Sequence, residues 1–491
     1  MTRMCPPIPG LWAVYTHRNC THNEEVALRN RVVGAVPRPS DSGLRHLRAT
    51  LPFLTRRMPP VSPITREAFC DHYTGRRRTR YLEAVQSLED NPLLLPKEAL
   101  VRAFVKSEKF SPAKVNPDPR MIQARSPRFN VEIGLYLKPI EHHIYRLVDD
   151  DGDSLIAKGM PPWDRGEAIW KMWSSFHNPV AIILDGSRWD QHIAQEILRL
   201  EHDFYLHCID DPWFRELLGA QLYNKVITAG GWRYKVKGNR MSGDMNTALG
   251  NCVIMLLMVF TIFRRLGIKG KVLDDGDDIV VVIDAKDMDQ FMGNVGPMFL
   301  SFGQEVKVEA TAHRMEDIDF CQSRPVTTNC GGYTMLPNWR KIISQSTAGV
   351  RYWAEPKTRI DMAYSVGQCL LALYPGMPIV QTYASKLCSM GRFNRSIMDT
   401  DWMWKVLPTG RARELGTLGP EPITVETRAS FALAYGVDPF EQERIENAIL
   451  DWDLPIGEHR MGQVVYGEWQ WEYCICHDPA GWDTPTHGCA R

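Results

Sequence analysis

The sequence predicts an α+β protein built around an antiparallel sheet, and three stretches carry that prediction. The run PVAIILD, residues 179–185, is rich in β-branched residues, and a segment with helical spacing of apolar residues follows it. The runs GKVL and DIVVVID flank Asp275 and Gly276, a pair that favours a tight hairpin turn. Between the first strand and this hairpin, Ala248 to Phe263 forms a long apolar run that predicts a buried helix. With 491 residues, the chain should fold as two or three subdomains.

Prolines are concentrated at the start of the chain. Nine of the 33 prolines fall within residues 1–63, in stretches such as AVPRPS and MPPVSP. Because proline fixes φ and lacks a backbone donor, we expect residues 1–95 to form an extended arm draped over the rest of the protein. The basic run RRRTR, residues 76–80, is better explained as a solvated face than as a contact to a nucleic-acid backbone.

The remaining elements follow in order along the chain. The long apolar helix is preceded by a Gly/Ser turn, with Ser242 or Asp244 available as its N-cap. The segment GQEVKVEATAH continues the β pattern, and from about residue 336 the sequence is mixed, partly helical and rich in tryptophan.

Charge is balanced overall but not locally. Lys+Arg and Asp+Glu both total 58, so net charge points to no class of partner. Between Val101 and Ile140, eight basic residues face three acidic ones, whereas Lys271 to Gln290 holds two basic and seven acidic residues. The first region could hold phosphates and the second could hold cations.

The compartment can be inferred from cysteines and apolar runs. The twelve cysteines are mostly single and lie in apolar contexts, which is typical of reduced thiols in a cytosol-like compartment. Pro6, Pro7 and Pro9 interrupt the N-terminus where a signal peptide needs an apolar core. The longest apolar run contains Asn251 and is shorter than the roughly 20 residues of a membrane helix, so we expect no transmembrane segment.

Two acidic residues stand at the ends of predicted strands. Asp185 closes the first strand, and Asp277 lies in the hairpin. Divalent-metal chemistry on phosphates needs oxygen ligands from at least two segments, and neighbouring antiparallel strands could bring both carboxylates to one point. Each acid alone is a weak signal, because Asp-Gly pairs commonly form turns and an acid after a strand is often a helix cap.

Polar residues near these acids strengthen the hypothesis of a site. Asp190 follows Asp185 at the start of a helix and could reach a second polar group of the same substrate, such as a ribose hydroxyl. Thr247 and Asn251 are four residues apart and therefore share one helix face, while Ser242 and Gly243 supply a hydroxyl and backbone N–H groups just before it. Without the nearby acids, Thr247 and Asn251 would be explained as satisfied polar groups of a helix.

Six ordered stretches resemble the motifs of a known family. DGSRWDQH, NRMSGDMNTALGN, DDGDD, FGQEVKVE and DFCQSRPV resemble motifs A to E of viral RNA-dependent RNA polymerases. The basic stretch KSEKFSPAKVNPDPRMIQARSPRFNVEIGLYLKP is similar to their finger motif F. The resemblance spans residues 101–326 and is to the tombusvirus-like family of positive-strand RNA viruses.

This resemblance implies a right-hand fold of fingers, palm and thumb, with an antiparallel palm sheet and closure by the fingertips. The implied activity is RNA-directed RNA synthesis from nucleoside triphosphates with Mg²⁺ or Mn²⁺, started without a primer. Implied partners are template and nascent RNA and a separate membrane-anchoring viral replication protein, at membrane-associated complexes in the host cytoplasm. The implied regions are the arm and fingertips (1–95), the fingers with motif F (96–178), palm motif A (179–205), a further part of the fingers (206–237), palm motifs B to E (238–335), and the thumb with the tail (336–491).

The resemblance also assigns roles to individual residues. The principal metal ligands would be Asp185 and Asp277, with Asp278 assisting. The set that senses the ribose 2′-hydroxyl would be Asp190, Thr247 and Asn251, with Ser242 and Gly243 beside it. Lys307 would protonate the leaving pyrophosphate, unless it is only a solvated strand lysine. The residues that would line the triphosphate channel are Lys106, Lys109, Arg120 and Arg125.

Two features depart from the family pattern. The family usually has a neutral residue directly before GDD, whereas Asp274 and Asp275 precede Gly276 here and would add charge or alter the turn. Plant members carry a membrane-anchoring region upstream, whereas this sequence starts close to the polymerase, so we expect a separate protein to supply the anchor or the virus to need none.

Several alternatives remain open at this level. A reverse transcriptase shares the palm, and a non-catalytic RNA-binding scaffold would keep the basic regions. The tryptophans Trp402, Trp404 and Trp452 could stack against a starting nucleotide, although core packing explains them equally well. The C-terminal cysteines and histidines have the atom types of a zinc site, but their spacing favours a frayed tail; they are Cys474, Cys476, His477, His487 and Cys489.

Overall fold

The computed structural model describes residues 2–3, 6, 8–12, 14–111, 117–349, 353, 355–394, 400–452 and 463–467. The C-terminal cysteines and histidines considered for zinc lie outside these residues. Among the described residues there are eight cysteines, all of them free thiols.

Helices occur along the whole described chain. In order they are α1 (Thr21–Arg31), α2 (Asp41–Thr55), α3 (Arg66–Asp71), α4 (Gly75–Asp90), α5 (Leu95–Glu98), α6 (Pro127–Ile144), α7 (Pro162–Ser174), α8 (Trp189–His192), α9 (Gln195–Cys208), α10 (Pro212–Gly219), α11 (Thr247–Leu266), α12 (Met288–Ser301), α13 (Trp339–Ser346), α14 (Pro356–Leu373), α15 (Val380–Met390), α16 (Thr400–Val406), α17 (Val425–Tyr435) and α18 (Pro439–Leu450).

Strands are grouped in two four-stranded sheets and three short pairs. In order they are β1 (Thr2–Arg3), β2 (Thr16–His17), β3 (Val101–Val105), β4 (Met121–Ala124), β5 (Pro179–Gly186), β6 (Tyr223–Thr228), β7 (Arg233–Lys237), β8 (Gly270–Asp274), β9 (Asp278–Asp284), β10 (Val306–Ala312), β11 (Ser323–Thr327), β12 (Tyr333–Pro337), β13 (Ala348–Gly349) and β14 (Gln463–Val464). The mixture of helices and sheets confirms the predicted α+β class.

The first four-stranded sheet, here called the central sheet, has the order β10-β5-β9-β8 and is antiparallel throughout. Strand β5 is buried on both faces: Ile182 packs into the core beneath α11, and Ile183 packs into a second core with α7. Because both faces are covered, the run PVAIILD is continuously apolar rather than alternating. The predicted strand and hairpin are therefore confirmed.

Helix α11 is the predicted buried helix. It is the one helix among the described residues that is long and apolar enough to cross a membrane, and 83% of its most apolar stretch is buried inside the protein. The helix ends, as many helices do, at a glycine in the left-handed conformation: Gly267 has a φ of 68°. The predicted N-cap was wrong: Asn246 occupies the cap position, and no side chain caps the first turn.

The second sheet, here called the lateral sheet, has the order β4-β3-β6-β7. Strands β3 and β6 run parallel, and the other neighbours are antiparallel. One face packs Val101, Ala103 and Val226 against Ala27 of α1. The alternation of buried and exposed residues along β3 leaves the other face in solvent.

The expectation of an extended N-terminal arm over residues 1–95 was wrong for most of that range. Helices α1 to α4 occupy it, and Leu44, Leu47 and Leu54 of α2 belong to the main core. The proline count misled because most of these prolines lie in the connections between helices, where their fixed φ is compatible with a turn, while Pro52 lies within α2.

The last described third of the chain forms a helical unit with its own core, built mainly from α13 to α18. Trp402 and Trp452 are buried there, which confirms core packing for both, whereas Trp404 is 55% exposed. The N-terminus is tied to this part: β1 pairs with β13, and β14 lies beside β2 in parallel.

Candidate active site

Three aspartates converge at one end of the central sheet. Asp185, near the end of β5, lies directly opposite Asp278, the first residue of β9, in the antiparallel register. The N–H of Gly186 donates to the backbone carbonyl of Asp277 at 3.0 Å, which fixes the turn of the hairpin against β5. All three aspartates line one cavity of about 1070 Å³. The predicted meeting of these carboxylates is therefore present in the structure.

Two of the aspartates, Asp185 and Asp278, have raised pKa values. Burial, followed by the charges of Asp277 and Asp185, raises the pKa of Asp278 to about 7. Burial and the charges of Glu309 and Asp277 also raise the pKa of Asp185, while Lys307 and Arg120 oppose this. The end of the sheet thus carries uncompensated negative charge, which a cation would relieve.

The donor set identifies the kind of cation that fits. It consists of carboxylate oxygens, which suit hard cations such as Mg²⁺ and Mn²⁺. Among the described residues, no three acidic, histidine or cysteine side chains are gathered closely enough to hold a metal ion by themselves. An open set of carboxylates is what Mg²⁺ commonly uses when substrate phosphates and waters complete its coordination.

Glu309 is a candidate site residue that the sequence did not reveal. It lies on β10, the strand next to Asp185, and lines the same cavity. The pairing of β10 with β5 shifts register between Val308 and Ala310, next to Glu309. A β-bulge re-aims a side chain in this way, and one sequence gives no signal for it.

The two extra acids before the turn do not add charge to the cavity. Asp275 lies 2.5 Å from the ammonium of Lys158 and 2.7 Å from the guanidinium of Arg165. Asp274 is fully buried in β8, and this burial raises the pKa of its carboxyl well above the usual range, which disfavours its charged form. Of the two acids that depart from the family pattern, Asp275 is therefore paired with two cations, and Asp274 lies where its charged form is disfavoured.

Asp190 and Asn251 meet beside the metal-binding end of the sheet. Asn251 on α11 donates to a carboxylate oxygen of Asp190 on α8 at 3.3 Å, and both line the cavity. Burial raises the pKa of Asp190 to about 6, while the charge of Arg240 opposes this shift. Two of the three residues expected to sense a ribose are thus in contact.

A buried ion pair lies behind Asn251. Arg240 donates from Nε to Oδ1 of Asn251 at 3.0 Å and forms a bidentate ion pair with Glu201. The same carboxylate accepts hydrogen bonds from Tyr205 and from Asn246, each at 2.8 Å. Arg240 and Glu201 are almost fully buried, so this network is part of the protein interior, and the sequence analysis did not single it out.

Thr247, Ser242 and Gly243 line the cavity and hold its wall in place. Thr247 donates its hydroxyl to the carbonyl of Met241 at 2.8 Å. Ser242 donates to the carbonyl of Met121 and accepts from the N–H of Gln123, at 2.9 and 3.2 Å. The N–H of Gly243 donates to the carbonyl of Gln123 at 2.8 Å. Ser242 and Gly243 therefore fasten the loop before α11 to β4 of the lateral sheet.

The four predicted triphosphate-channel residues divide into two pairs. Lys106 and Arg120 line the cavity and share the carboxylate of Glu108, at 3.0 and 3.4 Å. Lys109 lies elsewhere and donates to the carbonyl of Gln345 at 3.1 Å. The cavity has further basic walls that were not predicted, formed by Arg31, Arg77, Lys138, Lys158 and Arg188.

The expectation that Arg125 lines the triphosphate channel was wrong. Its guanidinium is buried, pairs with Asp244 at 2.8 Å, and donates to the carbonyl of Ala99 and to Asn224. With these partners it joins the lateral sheet to the loop before α11, and it is not among the residues that line the cavity. Basic residues of one sequence motif can thus lie either on the cavity wall or in a buried ion pair.

Lys307 stands beside Asp185 but is not part of the cavity wall described above. Its Cα is opposite that of Asp185 in the pairing of β10 with β5. The side chain is exposed and lies 3.5 Å from Glu309. The proton-donor role of Lys307 stays a prediction.

Comparison with known proteins places these motifs in a family. A family model described as viral RNA dependent RNA polymerase matches residues 5–457. Curated RNA-directed RNA polymerases of tobacco necrosis virus (strain A), turnip crinkle virus and melon necrotic spot virus are 34%, 34% and 37% identical to this chain. The alignments cover 89%, 80% and 82% of this chain and 62%, 52% and 52% of the relatives, so the chain spans little more than half of their length.

Proposed function

The chain belongs to the viral RNA-dependent RNA polymerase family, and we propose that it copies an RNA template by transferring nucleotides from nucleoside triphosphates to an RNA 3′-hydroxyl. One observation carries the proposal. Asp185 and Asp278 are in register on adjacent strands, Asp277 lies at the hairpin turn just before Asp278, and all three line the cavity. This places carboxylates from two segments at one point, as phosphate chemistry with divalent cations requires.

The protein's part in the reaction is to position and to neutralise. Asp185 and Asp277 would hold the cations, with Asp278 assisting; bound Mg²⁺ or Mn²⁺ supplies neutralisation of phosphate charge. The RNA 3′-oxygen forms a bond to the α-phosphorus, the bond from that phosphorus to pyrophosphate breaks with its electron pair going to pyrophosphate, and the hydroxyl proton passes to water. No protein nucleophile is needed, so catalysis is positioning plus electrostatics.

Selection of ribonucleotides is assigned to the contact between Asp190 and Asn251. Their polar groups face the cavity next to the metal-binding carboxylates, which is where the sugar of a bound triphosphate would lie. The 2′-hydroxyl can both donate and accept, so a carboxylate beside an amide suits it. Thr247 on the same wall supports this assignment, and Lys106 and Arg120 would face the triphosphate.

The right-hand arrangement is part of the same proposal. The central sheet corresponds to the palm, the lateral sheet to the fingers, and the helical unit from α13 onward to the thumb. Closure by fingertips is supported by strand pairs between the N-terminus and distant segments, including β1 with β13 and the mutual hydrogen bonds of Tyr15 and Phe110. The residue ranges given for these regions remain predictions.

Initiation and partners complete the proposal. Exposed Trp404 lies on the wall of a second cavity of about 420 Å³, beside Arg165 and Cys321, and could support a starting nucleotide. Template and nascent RNA are the proposed partners, together with a membrane-anchoring replication protein in the host cytoplasm.

The test compares the unmodified chain with Asp277→Asn. Both are incubated with a short RNA template, four ribonucleotides and Mg²⁺, with and without a primer. We expect Asp277→Asn to bind RNA normally and to lose incorporation. The matched control is Asp284→Asn, which changes the acid at the far end of β9, the strand that follows Asp277, and should retain activity.

Equal incorporation by the unmodified chain and Asp277→Asn would refute the site. Incorporation of deoxyribonucleotides in preference to ribonucleotides would instead support a reverse transcriptase. RNA binding without incorporation by the unmodified chain would support the non-catalytic scaffold. The contact of Asp190 with Asn251 favours the RNA polymerase over both alternatives.

A further inference from the structure

The solvent face of the lateral sheet is strongly basic. Its outward positions on β3, β6 and β7 hold exposed cations and aromatic rings. We call this set the basic face; it consists of Arg102, Phe104, Tyr223, Lys225, Arg233, Lys235 and Lys237. From Leu217 to Gly243 the sequence has five basic residues and no acidic one.

The register shows that these side chains share one face. Tyr223 is opposite Lys237 and Lys225 is opposite Lys235 in the pairing of β6 with β7. The ammonium of Lys237 lies 5.9 Å from the centre of the Tyr223 ring. On the neighbouring strand β3, Arg102 is paired with Ile227, two residues beyond Lys225.

The charge of the basic face is not compensated by any ion pair among the described residues. Among the described residues, the recorded ion pairs involve none of its five cations. Lys225 and Lys235 are directly opposite one another, an arrangement that destabilises an antiparallel pair unless an anion lies across it. The aromatic rings are also unusually open, with Tyr223 64% and Phe104 43% exposed.

Protection of a sheet edge does not explain these residues. Lysines on an edge strand prevent pairing with other chains, and β7 is such an edge. However, Arg102 and Lys225 lie on β3 and β6, the inner strands of the sheet, where no free edge exists. Exposed Phe104 would promote rather than prevent association.

The basic face also leads towards the candidate active site. Phe104 is opposite Ile122 in the pairing of β3 with β4. Ile122 lines the large cavity, as do its neighbours Met121 and Gln123. The sheet therefore connects its outer edge, β7, with the cavity wall across four adjacent strands.

We propose that the basic face binds single-stranded RNA outside the catalytic cavity. Cations in rows along the strands would contact successive phosphates, and Phe104 and Tyr223 would stack on unpaired bases, which a duplex does not offer. The choice of RNA rests on the proposed function, and the site itself adds a second RNA contact to it. A strand lying across the sheet would be held close to the cavity.

The experiment measures binding of a fluorescein-labelled oligouridine to the full chain by fluorescence anisotropy at several salt concentrations. The variant Lys225→Gln/Lys235→Gln removes two phosphate contacts, so the slope of log K against log salt should become shallower by about 1.4. The variant Phe104→Ala/Tyr223→Ala should leave that slope unchanged and weaken binding at least about fivefold for each base that is no longer stacked.

The matched control is Lys269→Gln/Lys286→Gln, which makes the same change in net charge at exposed lysines near β8 and α12. It should leave the slope and the affinity unchanged. Thermal unfolding of every variant verifies the fold. Incorporation on a saturating primed template is measured in parallel and should persist in all variants, so failure of the polymerase proposal is separable from failure of this one.

Two results obtained with Lys225→Gln/Lys235→Gln would overturn the proposal. One is an unchanged salt slope in Lys225→Gln/Lys235→Gln. The other is a variant that binds RNA as the unmodified chain does but no longer binds vesicles of phosphatidylserine and phosphatidylcholine. That result would assign the basic face to an anionic membrane. Stronger competition by oligodeoxyuridine than by oligouridine would likewise contradict RNA as the ligand.

Discussion

Arg240 donates a hydrogen bond from Nε to Oδ1 of Asn251 at 3.0 Å, and this contact fixes which way the amide of Asn251 points. Because an arginine has no acceptor, the amide must present its oxygen to Arg240 and its NH₂ group to Asp190. Glu201 holds the guanidinium from behind. Arg240 is therefore a positioning residue for the contact that we assign to ribose selection.

The substitution Arg240→Lys tests this role. Lysine keeps the charge but loses the planar fork, so Asn251 should no longer be held in one orientation. We expect the ratio of kcat/KM for a ribonucleotide to that for its deoxy analogue to fall about tenfold, the value of one charged hydrogen bond. Steady-state incorporation with each nucleotide measures this ratio.

The control for this substitution is Arg125→Lys. Arg125 is equally buried and is paired with Asp244, but it has no hydrogen bond to Asn251. Both variants should lose about 1–3 kcal/mol of stability, and only Arg240→Lys should lose selectivity. The same loss of selectivity in both would mean that Arg240 acts through general stability alone.

The pairing of Lys158 with Asp275 predicts a partial rescue. Lys158 contacts both the carboxylate and the backbone carbonyl of Asp275, at 2.5 and 2.6 Å, and so holds the turn that carries Asp277. Lys158→Met should cost about 1–3 kcal/mol, because it leaves a mostly buried carboxylate with one partner fewer. Adding Asp275→Asn should restore part of that stability in urea unfolding, and absence of any recovery would contradict the pairing.

Close packing at Gly243 predicts a steric cost. A Cβ at this position would lie 2.7 Å from the backbone oxygen of Gln123 and 2.8 Å from the Cβ of Ala124. Gly243→Ala should therefore push the loop away from β4, with a loss of about 1–3 kcal/mol in thermal unfolding and reduced incorporation. Gly219→Ala, with open space around it, is the control and should be neutral or slightly stabilising.

Buried His202 predicts a dependence of stability on pH. Burial lowers the pKa of its imidazole to about 4, so the folded state holds it neutral while the unfolded state takes up a proton below about pH 6.5. Stability from this group is present above pH 6.5 and is lost as the pH falls towards 4. Between pH 7 and pH 5 the loss is about 2 kcal/mol.

Urea unfolding at the two pH values, with His202→Met beside the unmodified chain, checks this dependence. The variant should lose about 2 kcal/mol less than the unmodified chain over the same interval. His207→Met changes an exposed histidine of the same helix and should behave as the unmodified chain does. Identical behaviour of His202→Met and the unmodified chain would contradict the assignment.

The acidic part of the candidate site was predictable, and most of the basic part was not. A strand ending in Asp185 and a hairpin carrying Asp277 and Asp278 are local patterns, and antiparallel pairing of neighbouring strands leaves few ways to arrange them. Arg120 and Arg125 lie five residues apart in the same basic stretch, yet one faces the cavity and the other is buried in an ion pair. Local sequence does not distinguish them, because their partners come from distant segments.

In the N-terminal region, the local sequence pattern predicted the wrong structure. Proline density predicted an extended arm, but α1 and α2 form because the prolines fall mainly between the helices and the apolar faces are completed by other segments. Leu47 of α2 is fully buried in the main core together with residues of α9 and α11. Burial against distant helices outweighed a local signal for extended chain.

The sequence by itself determined the α+β class, the buried helix, the hairpin, the polymerase family and the order of the acidic residues, because these depend on patterns between residues close in the chain. Only the tertiary structure decided that Asp274 is fully buried, that Asp275 is paired with Lys158, that Arg240 orients Asn251 and that cations and aromatic rings share one face of the lateral sheet. Charge and hydrogen bonding depend on distance through space, and Lys158 and Asp275 are 117 residues apart in the chain.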